Sequence, residues 1–281
     1  MKTGRRAEAP PHLALTTTGR RIGASCGPRG ASSAAWRREP RYNGAVHALL
    51  VDLDDTLLDY SGGVDEHWTA AVHACCPEDG AVDPQRLATV LGEARRWFWS
   101  DPERHRRERV NMLGAWTHIV EIGLQRLGVA PDGVAPAIAR EFWVRRREAM
   151  RLFPDTTASL AALRRRGVRL ALVTNGDAGQ QRDKIERHDL ARFFDAIVIE
   201  GEFGAGKPEA IVYRHALAAL GASPGEAWMA GDHLEFDVGA PQRLGLRGVW
   251  VDRTGQGLPG DSTVLPHRIV RSFGELVAAL D

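Results

Sequence analysis

The sequence predicts an α/β protein: a parallel sheet covered on both faces by helices, with an all-helical block inserted after the first strand. Three observations predict it. Short continuous apolar runs recur between amphipathic segments, as buried parallel strands do. Helical periodicity without strand signal fills residues 64–150. Carboxylates and small polar residues follow directly on several of the apolar runs, where such sheets bind ligands.

Residues 1–44 come before any of this pattern. They hold nine Lys/Arg against Glu8 and Glu39, are rich in Gly, Ala, Ser and Pro, and lack a hydrophobic period. Arg20-Arg21 resembles part of a twin-arginine signal, but no apolar segment follows. The segment reads as a disordered basic extension, or as upstream sequence translated ahead of a start near Val46.

The core is expected over 45–60 and 151–281, with the cap at 61–150. Ala48-Leu49-Leu50-Val51 forms the first strand. Helices are then expected at about 65–76, 84–99, 110–127 and 133–150. Pro84 fits a first-turn position behind an Asp83 cap, and Gly128 with Pro131-Asp132-Gly133 separates the last two. From Leu152 the alternation resumes. Helices at 155–166, 178–189, 208–220 and 236–244 interleave with strands at 168–174, 195–199, 226–230 and 247–251. A short strand at 268–270 and a helix at 273–280 end the chain. Hinges are expected at Tyr60–Gly63 and Arg151–Pro154, where the chain passes between cap and core.

Bulk properties exclude several classes. A formal net charge of +1 gives no global attraction to nucleic acid or an acidic membrane. No apolar run approaches the ~20 residues of a membrane-spanning helix. Cys26, Cys75 and Cys76 match no zinc or disulfide pattern, which suggests a reducing, cytoplasmic setting. Oligomeric state is not legible.

The strand ends carry the chemistry. The first delivers Asp52-Leu53-Asp54-Asp55-Thr56, and two carboxylates at i and i+2 beyond a buried strand are costly unless a cation or a reaction needs them. Thr174-Asn175-Gly176 ends the second. Gly204-Ala205-Gly206-Lys207-Pro208 opens a helix, where an anion meets free N–H groups. Gly231-Asp232 follows a later strand, with Asp237 five residues on. Converging carboxylates form a hard-oxygen site for Mg²⁺, and Lys207 with hydroxyl and amide donors could hold a phosphoryl group.

These four segments resemble, in order, the motifs of the haloacid dehalogenase (HAD) superfamily: Asp-x-Asp-x-Thr, a strand-ending Thr, Gly-x-x-Lys-Pro and Gly-Asp-x-x-x-x-Asp. The match runs from about residue 46 to the end. The resemblance implies a Rossmann-like core with a helical C1-type cap. It implies that Asp52 is the nucleophile, forming an aspartyl-phosphate, and that Asp54 is the general acid/base. Mg²⁺ would be held by Asp52, the Asp54 main-chain carbonyl and Asp232, with Asp237 supporting it directly or through water, and phosphate by Thr174, Asn175 and Lys207. The activity implied is hydrolysis of a small phosphorylated metabolite, a sugar phosphate or nucleotide. The segments Thr174–Asp177, Gln181–Glu186 and Gly231–Asp237 are similar to the N-acylneuraminate-9-phosphatase subgroup.

A 2-haloacid dehalogenase, a sugar phosphomutase and a catalytically idle binding protein stay open. Asp54 speaks against the first, because halide leaves carbon without needing an acid. In the cap, Trp68, Trp97, Phe98, Trp99, Trp116, Phe142 and Trp143 read as packing. Arg104, Arg106, Arg107 and Arg145-Arg146-Arg147 read as solvated faces before they read as substrate ligands. His105, His118 and His233 stand no higher.

Overall fold

The computed structural model describes residues 46–77, 80, 82–131 and 133–279; the basic segment 1–44 lies outside the described residues. The chain opens with β1 (Ala48–Val51), buried along its whole length, as a central strand covered on both faces must be. A two-residue strand β2 (Leu58–Asp59) precedes five helices: α1 (Val64–Cys75), α2 (Pro84–Trp99), α3 (Pro102–Glu108), α4 (Met112–Arg126) and α5 (Val134–Ala149). Then β3 (Arg151–Leu152) pairs antiparallel with β2, Leu58 opposite Leu152 and Asp59 opposite Arg151. The two crossings between core and cap are therefore zipped into one short ribbon.

The remainder alternates: α6 (Thr156–Arg165), β4 (Arg169–Thr174), α7 (Ala178–Arg187), β5 (Ala196–Ile199), the one-turn α8 (Glu200–Phe203), α9 (Ala210–Leu220) and β6 (Ala227–Gly231). A π-helical turn at Leu234–Gly239 runs into α10 (Ala240–Arg243), followed by β7 (Arg247–Val251), β8 (Arg268–Val270) and α11 (Phe273–Ala279). The sheet order is β5-β4-β1-β6-β7-β8, with every pairing parallel. This is a Rossmann-like core carrying a helical cap. The order reverses beside β1, so the ends of β4, β1 and β6 flank one crevice.

Apolar side chains fill one cluster on each face of the sheet. Leu49, Val51, Leu170 and Leu172 face one way; Leu50, Ala171, Val173 and Met229 face the other. The cap has its own core, built on Leu87, Leu91, Ile119, Val120 and Ile138 with Trp68 stacked on Phe142 at 3.9 Å. Expected caps are present: the Asp83 carboxylate accepts from Gln85 N and Arg86 N at 3.0 and 3.2 Å, ahead of Pro84. Among the described residues no helix is long and apolar enough to cross a membrane.

The departures from expectation are local. α3 was not anticipated; it buries no residue, so it lacks the apolar stripe by which helices are read, although Asp101-Pro102 repeats the start signal of α2. α4 begins at Met112 behind an Asn111 cap, and α9 at Ala210, beyond the Lys207-Pro208 turn.

Candidate active site

Four strand ends supply the site. Asp52 directly follows β1, its N–H donating to Ala230 O at 3.0 Å, and its side chain is almost fully buried. Thr56 Oγ1 donates to Asp52 Oδ2 at 3.0 Å, and Lys207 Nζ donates to Oδ1 at 2.7 Å. Lys207 Nζ also donates to Asp237 Oδ1 at 2.7 Å, and the other Asp237 oxygen accepts from His233 N at 3.0 Å. Asp232, just beyond β6, is fixed through its carbonyl oxygen, which accepts from Trp250 Nε1 at 2.7 Å.

Two motif glycines are explained by close approach. A Cβ on Gly231 would lie 2.3 Å from Asp237 Cγ, and one on Gly206 would lie 2.3 Å from Glu200 Oε1. Both carboxylates occupy space that only glycine leaves.

The second and third carboxylates of the first motif part company. Asp54 accepts from Lys184 Nζ at 2.8 Å on each oxygen and from Gln181 Nε2 at 3.0 Å. Asp55 is a turn former: at φ 58° its carboxylate accepts from Tyr60 N and Ser61 N at 3.0 and 2.8 Å. Thr174 Oγ1 accepts from Gln181 Nε2 at 2.5 Å. Asn175 has a positioning part. Its Oδ1 accepts from Lys207 N at 2.7 Å and its Nδ2 donates to Lys207 O at 2.8 Å. The carboxamide clamps the main chain of Lys207, so the side chain positions the lysine, and the second Nδ2 hydrogen is left for another acceptor.

Asp52, Asp232 and Asp237 each offer an oxygen, all within 4.8 Å of one another. The Asp54 carboxylate stands outside this group, turned to Lys184, which leaves only its main-chain carbonyl for a cation. Burial pushes the Asp232 carboxyl up to about 9, with Asp52 and Asp237 adding to it. Burial likewise raises Asp52 to about 7, Lys207 pulling it down and Asp237 up. Lys207 is disfavoured as a cation by burial, yet Asp237 and Asp52 hold it above the ordinary lysine range. One ammonium cannot balance three crowded carboxylates. Asp232, whose side-chain oxygens accept no hydrogen bond among the described residues, is the one left over. An all-oxygen, anion-rich set of this kind fits a hard divalent cation such as Mg²⁺.

A cavity of about 680 Å³ spreads between these residues and the cap. Its cap side includes Trp68, Trp99, Trp116 and Phe142, which also pack the helices together, whereas Trp97 is half exposed under Arg104. The arginine runs are mostly surface pairs, Arg106 with Glu209, Arg145 with Glu141 and Arg147 with Asp183. His105 and His233 line the cavity, both lowered below ordinary histidine by burial, while His118 packs near Phe98.

Several residues of the site have no role assigned from the sequence, although Gln181 and Lys184 lie in a segment that carries the subgroup resemblance. Gln181 and Lys184 are buried on α7 beside Ile185, and polar residues at core positions of a helix were the available signal. Arg109 makes a buried bidentate pair with Glu200, at 2.8 and 2.7 Å, and Glu200 also accepts from Gly176 N at 2.9 Å. These partners are 91 positions apart, and nothing local announces them.

Comparison with known proteins gives the family. A haloacid dehalogenase-like hydrolase family model matches residues 46–245. Phosphoserine phosphatase of Thermus thermophilus is 35% identical over 251 residues, covering 82% of this chain and 98% of that protein. N-acylneuraminate-9-phosphatase of Rattus norvegicus is 42% identical over 136 residues, 48% of this chain and 54% of that one. Among solved structures, a magnesium-bound HAD hydrolase of Bacillus subtilis superposes with TM-score 0.65 at 17% identity, covering 85% of this chain and all of that one. A 2-haloacid dehalogenase of Pseudomonas syringae gives TM-score 0.58 at 23% identity, covering 84% and 98%. At these identities the structural likeness is one of fold alone. The family match and the full-length relative together place the chain among the haloacid dehalogenase-like hydrolases, as a phosphatase of that family.

Proposed function

We propose that the protein hydrolyses a small phosphate monoester, of the sugar-phosphate or nucleotide class, in two steps through an aspartyl-phosphate on Asp52. The observation that carries this reading is a second carboxylate, Asp54, lining the same cavity two residues after Asp52 and held apart from the acidic cluster by Lys184 and Gln181. A dehalogenase has no use for it. The relatives named for phosphoserine, N-acylneuraminate 9-phosphate and glyceraldehyde 3-phosphate point to the same reaction class.

In the first step an Asp52 oxygen attacks phosphorus while the ester P–O bond breaks. Protonated Asp54 gives its proton to the departing oxygen. In the second step water attacks phosphorus and Asp54 takes its proton. The bond to Asp52 breaks, releasing inorganic phosphate and restoring the carboxylate. Lys184 and Gln181 aim the Asp54 carboxylate for the second of these transfers. Lys207, anchored by Asn175, faces the charge that builds on the phosphoryl oxygens. Mg²⁺ on Asp52, Asp232, Asp237 and the Asp54 carbonyl would neutralise the carboxylates and polarise the phosphoryl group.

The test is p-nitrophenyl phosphate hydrolysis with and without Mg²⁺. Asp52→Asn should lower kcat by at least about 10³-fold while leaving the fold intact by circular dichroism, since the neutral amide cannot act as the nucleophile. Metal-independent release of halide from a 2-haloacid, with no phosphate released from any ester, would replace this reading with dehalogenation.

A further inference from the structure

The cap arginines that meet the core mostly have carboxylate partners: Arg109 has Glu200, Arg147 has Asp183 and Arg106 has Glu209. Arg146 does not. It lies 3% exposed in the last turn of α5, and it forms no ion pair with any of the described residues. Its guanidinium donates to the Tyr60 carbonyl oxygen and lies over the Tyr60 ring, 4.5 Å from the centroid, with Phe142 at 5.7 Å. The acidic groups that act on it, Asp54 and Asp55, are already committed. Asp54 serves Lys184 and Gln181, and Asp55 serves Tyr60 N, Ser61 N and the Ser61 hydroxyl. A buried guanidinium with five donors and one protein acceptor is an expensive arrangement unless something else completes it.

Its position says what. Arg146 lines the same cavity as Asp52 and Asp54. Lys184, bound to Asp54, sits on the same Tyr60 ring at 4.1 Å. One aromatic ring thus spaces the unpaired cation from the Asp54 end of the site, a gap that a few covalent bonds of a substrate would span. Of the other arginines lining the cavity, Arg109 is held by Glu200 and Arg95 by Asp65, each at 2.7 Å, and Arg96 is exposed, so Arg146 is the buried one without a carboxylate partner among the described residues.

We infer that Arg146 recognises a second anionic group on the substrate, and that the substrate is a small phosphate monoester carrying a carboxylate a few bonds from its phosphate. This rests on the phosphatase reading above and narrows it. The planar fork of a guanidinium matches a carboxylate with two parallel hydrogen bonds and equal and opposite charge, whereas a second phosphate, though it fits the same fork, brings one negative charge more than the guanidinium balances.

Matched esters test it. 3-Phosphoglycerate and glycerol 3-phosphate differ in the carboxylate, and fructose 1,6-bisphosphate and fructose 6-phosphate differ in a second phosphate. With Mg²⁺, the wild-type protein should favour 3-phosphoglycerate over glycerol 3-phosphate by at least about tenfold in kcat/KM. In Arg146→Met that ratio should fall towards one, and in Arg146→Lys to an intermediate value. A ratio is unaffected by the fraction of each preparation that folds. The inference is overturned if the wild type shows no preference for the acid, or if both esters lose equally in the variants, as for a group acting on the phosphoryl oxygens. It is also overturned if the Arg146-dependent preference belongs to the bisphosphate. Silence on every ester, p-nitrophenyl phosphate included, would remove the phosphatase reading and this inference with it.

Discussion

Removing either partner of the Arg109–Glu200 pair should cost far more than removing either partner of Arg106–Glu209, although both pairs join cap to core. Arg109 and Glu200 side chains are 9% and 6% exposed, whereas Arg106 and Glu209 are 65% and 37% exposed. In Arg109→Met the Glu200 carboxylate loses two of its three donors and keeps only Gly176 N–H, while Lys207 O retains Asn175 Nδ2. Stranding a buried charge in this way costs about 3–5 kcal/mol, against about 0–1 kcal/mol for an exposed pair. Part of that penalty is relieved if the cap lifts and water reaches Glu200, so a double-mutant cycle is the cleaner measure. Urea unfolding of the wild type, Arg109→Met, Glu200→Gln and the double variant should give a coupling energy on the order of 2–3 kcal/mol. The same cycle on Arg106 and Glu209 should give below about 1 kcal/mol. Equal couplings would refute the argument that burial, and not the mere presence of an ion pair, holds the cap down.

Two further outcomes are expected. Asp232 has a folded-state pKa of about 9 against an ordinary 3.8, so without metal the folded protein holds a proton that the unfolded chain releases, and stability falls as pH rises between those values. Mg²⁺ must displace that proton, so the rise in Tm that it produces should be larger at pH 9 than at pH 6, and a pH-independent rise in differential scanning fluorimetry would refute this. Gly231→Ala drives a methyl into the Asp237 carboxylate; it should cost about 1–3 kcal/mol in urea unfolding and lower kcat/KM at least tenfold, and wild-type values for both would show that the close approach is unimportant.

Most of the core was legible because its determinants are local. Ala48–Val51 is apolar throughout since both its faces are covered, and Asp52, Thr174 and Asp232 lie at the end of such runs or directly beyond them. The whole-chain order of Asp52, Thr174, Lys207 and Asp232 could therefore be read without knowing where the strands pack. What escaped depends on distance or on brevity. β2 and β3 are two residues each, too short to show alternation, and they exist because each supplies the other's hydrogen bonds. Arg146 sits in a run that reads as a solvated face, and Arg145 and Arg147 do pair near the surface. Only the docking of α5 on Tyr60 turns the middle member inward. Asn175 was read for its chemistry, whereas the fold uses it as a clamp on a residue 32 positions away.

The β2–β3 ribbon has an architectural consequence. Leu58 and Leu152 are direct partners, so the 93 intervening residues leave and re-enter the sheet domain through adjacent points. An insert whose ends touch places no strain on its host, whatever its own length or shape. The excised helices could be replaced by a tight two-residue hairpin turn, and a foreign helical bundle with neighbouring ends could be grafted onto the same stump. Such a join lets one hydrolytic chassis be fitted with different lids without redrawing the strands that carry its acids.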